Sequence, residues 1–162
     1  MNQDEQVREV YAHFGLAVYM AQALEHALVN AMVVGRLPQS ARVTASEIDD
    51  FMSEQFDATL GKLIKELGRY VVVPEELAGA LQRALRTRNW LAHRYFRERA
   101  VEFMSEAGRS AMITELQDAR NSFEAADQLL EMIGRPIMAR YGITDQTVAE
   151  YERRLRAGEI GG

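Results

Sequence analysis

The segment RNWLAHRY, residues 88–95, combines side chains that can do chemistry on a phosphate. Arg88 is always protonated, and its planar guanidinium can hold two phosphate oxygens at once. His93 follows after four intervening residues, and histidine titrates near neutral pH, so it can act as a general base or a general acid. Asn89 lies four positions before His93 on one helix face, where its amide could orient the imidazole. These residue types suit a reaction at a phosphodiester.

The same segment lies in a strongly basic stretch. Residues 83–99 hold six arginines and one glutamate, a balance of +5, whereas the other 13 basic and 23 acidic side chains give −10. The formal net charge of −5 argues against a nucleic-acid partner unless binding is confined to this stretch. We therefore expect Arg83, Arg86, Arg94 and Arg97 to bind the phosphate backbone. The alternative is an arginine-rich helix face that is merely solvated.

The composition excludes several other classes of site. The 162 residues are 48% hydrophobic and fit one domain. Absence of cysteine removes disulfides, thiolate zinc sites and cysteine nucleophiles. No histidine pair has metal-ligand spacing, and we expect no metal and no cofactor. No run of about 18 uncharged apolar residues occurs, and the N-terminus is acidic, so we expect a cytoplasmic protein with no membrane partner.

Helical periodicity dominates the chain. Apolar residues recur at spacings of three and four, which predicts four long helices and a short fifth. The short run at 71–73 is too isolated to form a sheet and is predicted to be a connector. The predicted helices run from Val7 to Met32, from an N-cap at Ser46 to Leu67, from Pro74 to Phe96, from a break at Gly108 to a kink or end at Pro136, and from about Asp145 to Leu155.

Long helices joined by short links pack best as an antiparallel bundle. The predicted fold is therefore all-α, an antiparallel bundle of four to five helices. We expect residues 1–141 to form this bundle and residues 142–162 to form a short C-terminal helix and a frayed, glycine-rich tail.

The arrangement Arg-x4-His, with Asn89 directly after Arg88 and Tyr95 two residues after His93, resembles the signature of the HEPN superfamily. Tyr95 adds a similarity to the HEPN toxins of nucleotidyltransferase-linked toxin–antitoxin pairs. The resemblance covers the architecture of roughly residues 1–140, while only residues 88–95 match at the level of the motif.

The resemblance implies a HEPN-like bundle that cleaves RNA without a metal, by attack of the 2′-hydroxyl, at a site between two copies of the chain. Arg88 and His93 would be the catalytic residues and Asn89 their support. In the toxin branch, the tyrosine corresponding to Tyr95 receives AMP from a nucleotidyltransferase antitoxin, which would be a separate chain here. The alternative for Tyr95 is packing in the core.

Helix geometry adds a constraint on the pair Arg88 and His93. At about 100° per residue, the two side chains point roughly 140° apart on a straight helix. Either the helix is distorted there, or two copies pool their residues across a two-fold axis, and we expect a homodimer. Two other functions stay open: a non-catalytic HEPN-like module that binds RNA or a nucleotide, and a structural helical bundle that acts through protein partners.

Overall fold

The computed structural model describes residues 3–36, 44, 46–47, 50–51 and 58–159. These ranges are mostly helical and contain no strand, which confirms the all-α prediction. The helices are α1 (Gln3–Arg36), α2 (Leu60–Leu67), α3 (Glu75–His93), α4 (Tyr95–Glu98), α5 (Ala100–Phe103), α6 (Glu106–Arg140) and α7 (Asp145–Arg156).

The long helices α1 and α6 form the main packing pair, and they run parallel. Near both N-termini, Gln6 donates to Ser110, and towards the other ends Ala31 and Gly134 line one small cavity. Helix α3 runs the opposite way, since its Arg88 meets Glu25 while Tyr95, just after its end, meets Phe14. The prediction of a wholly antiparallel bundle is therefore wrong for this pair. Because α1 and α6 are each antiparallel to α3, they must be parallel to each other.

Two predicted helices begin or end elsewhere than expected. Thr59 has an extended backbone and its side chain accepts from the backbone N–H of Lys62, so a separate helix begins at Leu60. The predicted single helix from Ser46 to Leu67 is therefore wrong; residues 52–57 lie outside the described ranges. At its start Ser46 is helical, and Thr44 rather than Ser46 makes the reciprocal cap with Glu47.

The fourth predicted helix begins earlier and ends later than expected, at Glu106 and Arg140. The break before this helix is at Ser105, not at Gly108. The Ser105 side chain caps α6 by accepting a hydrogen bond from the backbone N–H of Gly108. Gly108 is needed for another reason: a Cβ there would collide with the backbone of Glu102. The helix then continues through Pro136 to Arg140, so Pro136 does not end it. The predicted C-terminal helix is confirmed as α7, with all its residues exposed.

Among the described residues, the core is apolar except for one polar cluster at the N-terminal ends of α1 and α6. The Arg109 side chain is buried, and its Nε donates to the Gln6 side chain at 3.0 Å. Its Nη1 donates to the carbonyl of Phe103 at 3.0 Å, at the end of α5. A guanidinium is thus buried against neutral acceptors and a helix C-terminus, where the helix dipole favours a cation. This contact ties the α5–α6 turn to α1.

Helix α1 is long and apolar enough, judged by length and composition, to cross a membrane. Central helices of bundles meet the same criterion. Here α1 buries ten of its residues, among them Val10, Leu24, Leu28 and Met32, against the rest of the fold.

Candidate functional site

The chain turns sharply at the residue that follows His93. Arg94 leaves the helical conformation, with φ −135° and ψ −21°, although its N–H still donates to the Trp90 carbonyl. Helix α3 therefore ends at His93, and the predicted helix through Phe96 is wrong. The physical reason lies in the next two residues. Tyr95 and Phe96 both contact Phe14 of α1, and Tyr95 is buried, so packing against α1 holds the short helix α4 that follows the break.

Arg88 and His93 line the same groove, between α1 and α3. This groove has a volume of about 400 Å³ and an apolar floor. The break in the helix comes at Arg94, after His93, so it does not change the angle between Arg88 and His93, which both belong to α3. The other lining residues are Phe14, Val18, Ala21, Gln22, Glu25, Leu91 and Ala92.

Glu25 of α1 holds the Arg88 guanidinium. Arg88 Nη2 donates to Glu25 Oε1 at 3.2 Å, and both side chains are only partly exposed, at 30% and 24%. The pair joins residues 63 positions apart and fixes Arg88 at the wall of the groove. Sequence reasoning missed Glu25. The sequence did contain an indication: Glu25 follows Leu24 within the apolar pattern of α1, and a partly buried carboxylate needs a partner.

Asn89 lies beside Arg88 rather than His93. Its Oδ1 accepts from Arg88 Nη1 at 3.1 Å, and it lines a second groove, between α2 and α3. Both residues are described, and no hydrogen bond joins Asn89 to His93, so the expected orienting contact is not present. Sharing a helix face brings two side chains near each other, but the Asn89 amide turns to the adjacent guanidinium. Asn89 is therefore a support for Arg88.

The other arginines do not gather around the groove of Arg88 and His93. Arg83 and Arg86 line a different groove of about 320 Å³, between α3 and α6, together with Glu115 and Asp118. Acidic residues of α6 thus lie beside two of the cations expected to bind phosphate. The arginines of the basic stretch therefore do not line one common groove.

The arginines after the helix end are exposed or paired. Arg94 lies 3.8 Å from Glu98, and Arg99 makes two hydrogen bonds to Glu115, at 2.9 and 2.6 Å. Arg97 is exposed and has no ion pair among the described residues. The local charge of +5 is therefore partly neutralised by glutamates from α1 and α6.

Tyr95 is a core residue. It is 1% exposed, its hydroxyl donates to the Met112 carbonyl at 3.2 Å, and its ring packs edge-on to Trp90 at 4.8 Å between ring centroids. The Trp90 indole N–H donates to Glu98, so Trp90 also serves packing. Of the two readings of Tyr95, these contacts favour the core. Transfer of AMP to its hydroxyl requires α4 to leave the bundle first.

The burial of Tyr95 makes the stability of the protein depend on pH in the alkaline range. Desolvation, with the charge of Glu115 adding and Arg99 opposing, raises the pKa of Tyr95 above its ordinary value. Above about pH 10 the unfolded chain releases this proton while the folded chain retains it. Stability contributed by Tyr95 is therefore complete below pH 10 and falls as the pH rises further. We expect urea unfolding midpoints to drop between pH 9 and 11 in the wild type, and to drop less in Tyr95→Phe. Equal slopes in both proteins would contradict this.

Among the described residues, no group of three or more His, Cys, Asp and Glu side chains is placed to hold a metal ion. The groove between α1 and α3 instead brings together a fixed cation, a histidine and an apolar floor. Such a site can bind a phosphodiester and move a proton. Comparison of the chain with protein-family models, curated proteins and solved structures yields no match.

Proposed function

We propose that the protein is a metal-independent endoribonuclease of HEPN type, toxin-like or defence-associated, with its active site in the groove between α1 and α3. The observation that carries the proposal is that Arg88 and His93, the two residues of the Arg-x4-His motif, line one groove of about 400 Å³. That volume lies in the range of small-molecule sites and can take a nucleotide-sized ligand.

In this mechanism the 2′-hydroxyl of RNA attacks the adjacent phosphorus, and the bond to the 5′-oxygen breaks. His93 accepts the proton of the 2′-hydroxyl as general base. Arg88 binds the non-bridging oxygens as their negative charge grows. A proton from the His93 of a second copy goes to the departing 5′-oxygen. The products are a 2′,3′-cyclic phosphate and a 5′-hydroxyl.

The mechanism places two copies of the chain around one site, and a homodimer is part of the proposal. Exposed side chains of α1 support it: Tyr11, on the helix face of the groove, is 53% exposed, and Leu16 and Tyr19, on other faces, are 38% and 62% exposed. Exposed aromatic groups are enriched at interfaces between subunits. Sedimentation equilibrium of the purified protein measures the mass directly.

Incubation of the purified protein with RNA in EDTA tests the proposal. Cleavage that leaves cyclic-phosphate ends supports the ribonuclease. Salt-dependent binding without cleavage indicates the non-catalytic RNA-binding module, and absence of both leaves the structural bundle. A trans-acting nucleotidyltransferase is tested separately, by AMP transfer to the native protein and to Tyr95→Phe.

Removal of the Glu25 charge should change affinity and turnover in opposite directions. In Glu25→Gln the guanidinium of Arg88 loses a competing carboxylate, and the groove loses a negative charge, so RNA should bind roughly threefold more tightly. Arg88 also loses its fixed position, so kcat should fall by about tenfold. Single-turnover cleavage at several RNA concentrations measures both effects. Unchanged KM and kcat would make the ion pair a surface contact without a role.

A further inference from the structure

A second groove meets the proposed active site at Arg88. It lies between α2 and α3 and has a volume of about 550 Å³. Arg88 lines both this groove and the one that contains His93. A chain bound across the proposed active site can therefore continue into the second groove without leaving the protein. The residues on its walls include Lys62, Lys65, Gln82 and Asn89.

The cations of this groove are unusual for the protein. Lys62 and Lys65 are its only two lysines, against seventeen arginines. They are three positions apart and share a face of α2. The orientation of α2 is set by its apolar residues, since Leu60, Leu63 and Leu67 are buried in the core. Both lysines are consequently exposed, on the side of the groove.

The charges of these lysines are also less compensated than those of half of the six arginines at 83–99. Among the described residues neither lysine makes an ion pair, whereas Arg88, Arg94 and Arg99 each do. The one carboxylate on the wall of the groove, Glu66, is paired with Arg69 at 2.6 Å. The positive charge of the lysines is therefore available to an anion.

We propose that the groove between α2 and α3 is a backbone-binding subsite, in which Lys62 and Lys65 hold phosphates of the RNA next to the one held by Arg88. The amides of Gln82 and Asn89 offer hydrogen bonds to the sugar-phosphate chain, and lysine binds phosphate as a point charge. Phosphate contacts carry no sequence information, so the two lysines give affinity and register but little sequence preference. This proposal rests on the proposed ribonuclease function.

The rarity of lysine gives a direct test. An amine-reactive acylating reagent can modify only Lys62, Lys65 and the N-terminal amine, and mass spectrometry measures each separately. We expect a 2′-O-methyl RNA, which cannot be cleaved by 2′-hydroxyl attack, to protect both lysines severalfold. The N-terminal amine should be unaffected and serves as the internal reference. Lysines that react equally with and without saturating RNA would overturn the subsite.

Variants provide the second measurement. Loss of two phosphate contacts in Lys62→Ala/Lys65→Ala should weaken RNA binding roughly tenfold and reduce the slope of log affinity against log salt by about 1.4. Lys62→Arg/Lys65→Arg should retain most of the affinity. Arg154→Ala/Arg156→Ala, which removes the same charge from the exposed helix α7, should bind like the wild type.

The outcomes separate the two proposals. Cleavage by the wild type together with unchanged binding by the double alanine variant rejects the subsite alone. Lysine protection and weakened binding without any cleavage support the subsite and reject the ribonuclease. A wild-type protein that neither binds nor cleaves RNA rejects both.

Discussion

Substitution of His93 by alanine is expected to slow RNA cleavage by about 10²–10⁴-fold, because a positioned general base or acid contributes a factor of that size. Substitution of Arg88 by alanine should cost about 10²–10³-fold, since the guanidinium stabilises charge that develops in the transition state. Cleavage is measured under single-turnover conditions in EDTA, with the cyclic-phosphate product resolved from the intact RNA. Both residues line the same groove, so we expect the double variant to lose little beyond the larger single effect.

Two matched variants control for the removal of a histidine or a cation elsewhere. His26 of α1 and Arg140 at the end of α6 are both exposed and lie outside the groove. His26→Ala and Arg140→Ala should therefore cleave RNA at the wild-type rate. His93 is exposed and ends α3, so its substitution should leave thermal unfolding within a few degrees of the wild type. Full activity of both His93→Ala and Arg88→Ala would falsify the assignment of the site.

The sequence predicts those parts of the fold that depend on local pattern. The apolar stripes of α1 and α6 and the start of α7 follow from spacing and capping residues near each element. The directions of the helices relative to one another do not follow from local pattern. Whether α1 and α6 are parallel depends on the path of the chain between them. A short link makes two successive helices antiparallel, but it does not determine the relative direction of helices that are distant in sequence.

The end of α3 at His93 could not be predicted from the spacing of apolar residues. Leu91 and Tyr95 keep helical spacing, so the pattern favours a continuous helix. The break comes from tertiary packing, in which Tyr95 and Phe96 both reach Phe14 of α1. Arg88 and His93 both lie within α3 before this break, and both line the groove between α1 and α3. The motif could be recognised in the sequence, but the groove that Arg88 and His93 line with residues of α1 could not.

The distribution of charge shows a similar limit. Counting charged residues along the sequence separates a basic stretch from an acidic remainder. In the folded chain, however, Glu25 and Glu115 form ion pairs with arginines of that stretch. The cations left without ion pairs in the described structure include Lys62 and Lys65, which lie outside the basic stretch altogether. Local charge in the sequence therefore located the helix of the candidate site, and only tertiary contacts show which cations are free to bind.

Substitution of Tyr95 by alanine is expected to destabilise the protein by about 3–5 kcal/mol, the cost of truncating a large buried aromatic side chain. The ring is 1% exposed and contacts Phe14, Trp90 and Phe96. For a chain of this length the melting temperature should fall by roughly 10 °C. Tyr95→Phe keeps the ring and loses the hydrogen bond to Met112, so it should cost only about 1 kcal/mol. Urea unfolding followed by circular dichroism measures both values.

The same pair of variants connects the core to the site. Tyr95 anchors the residues directly after His93, so Tyr95→Ala should release the end of α3 and reduce RNA cleavage even at temperatures where the variant is fully folded. Tyr95→Phe should cleave like the wild type, because the ring alone fixes the turn. Tyr151→Ala removes a tyrosine that is 57% exposed on α7 and should change stability by less than about 0.5 kcal/mol. If Tyr95→Ala proves no less stable than Tyr95→Phe, the aromatic cluster does not hold the turn that follows His93.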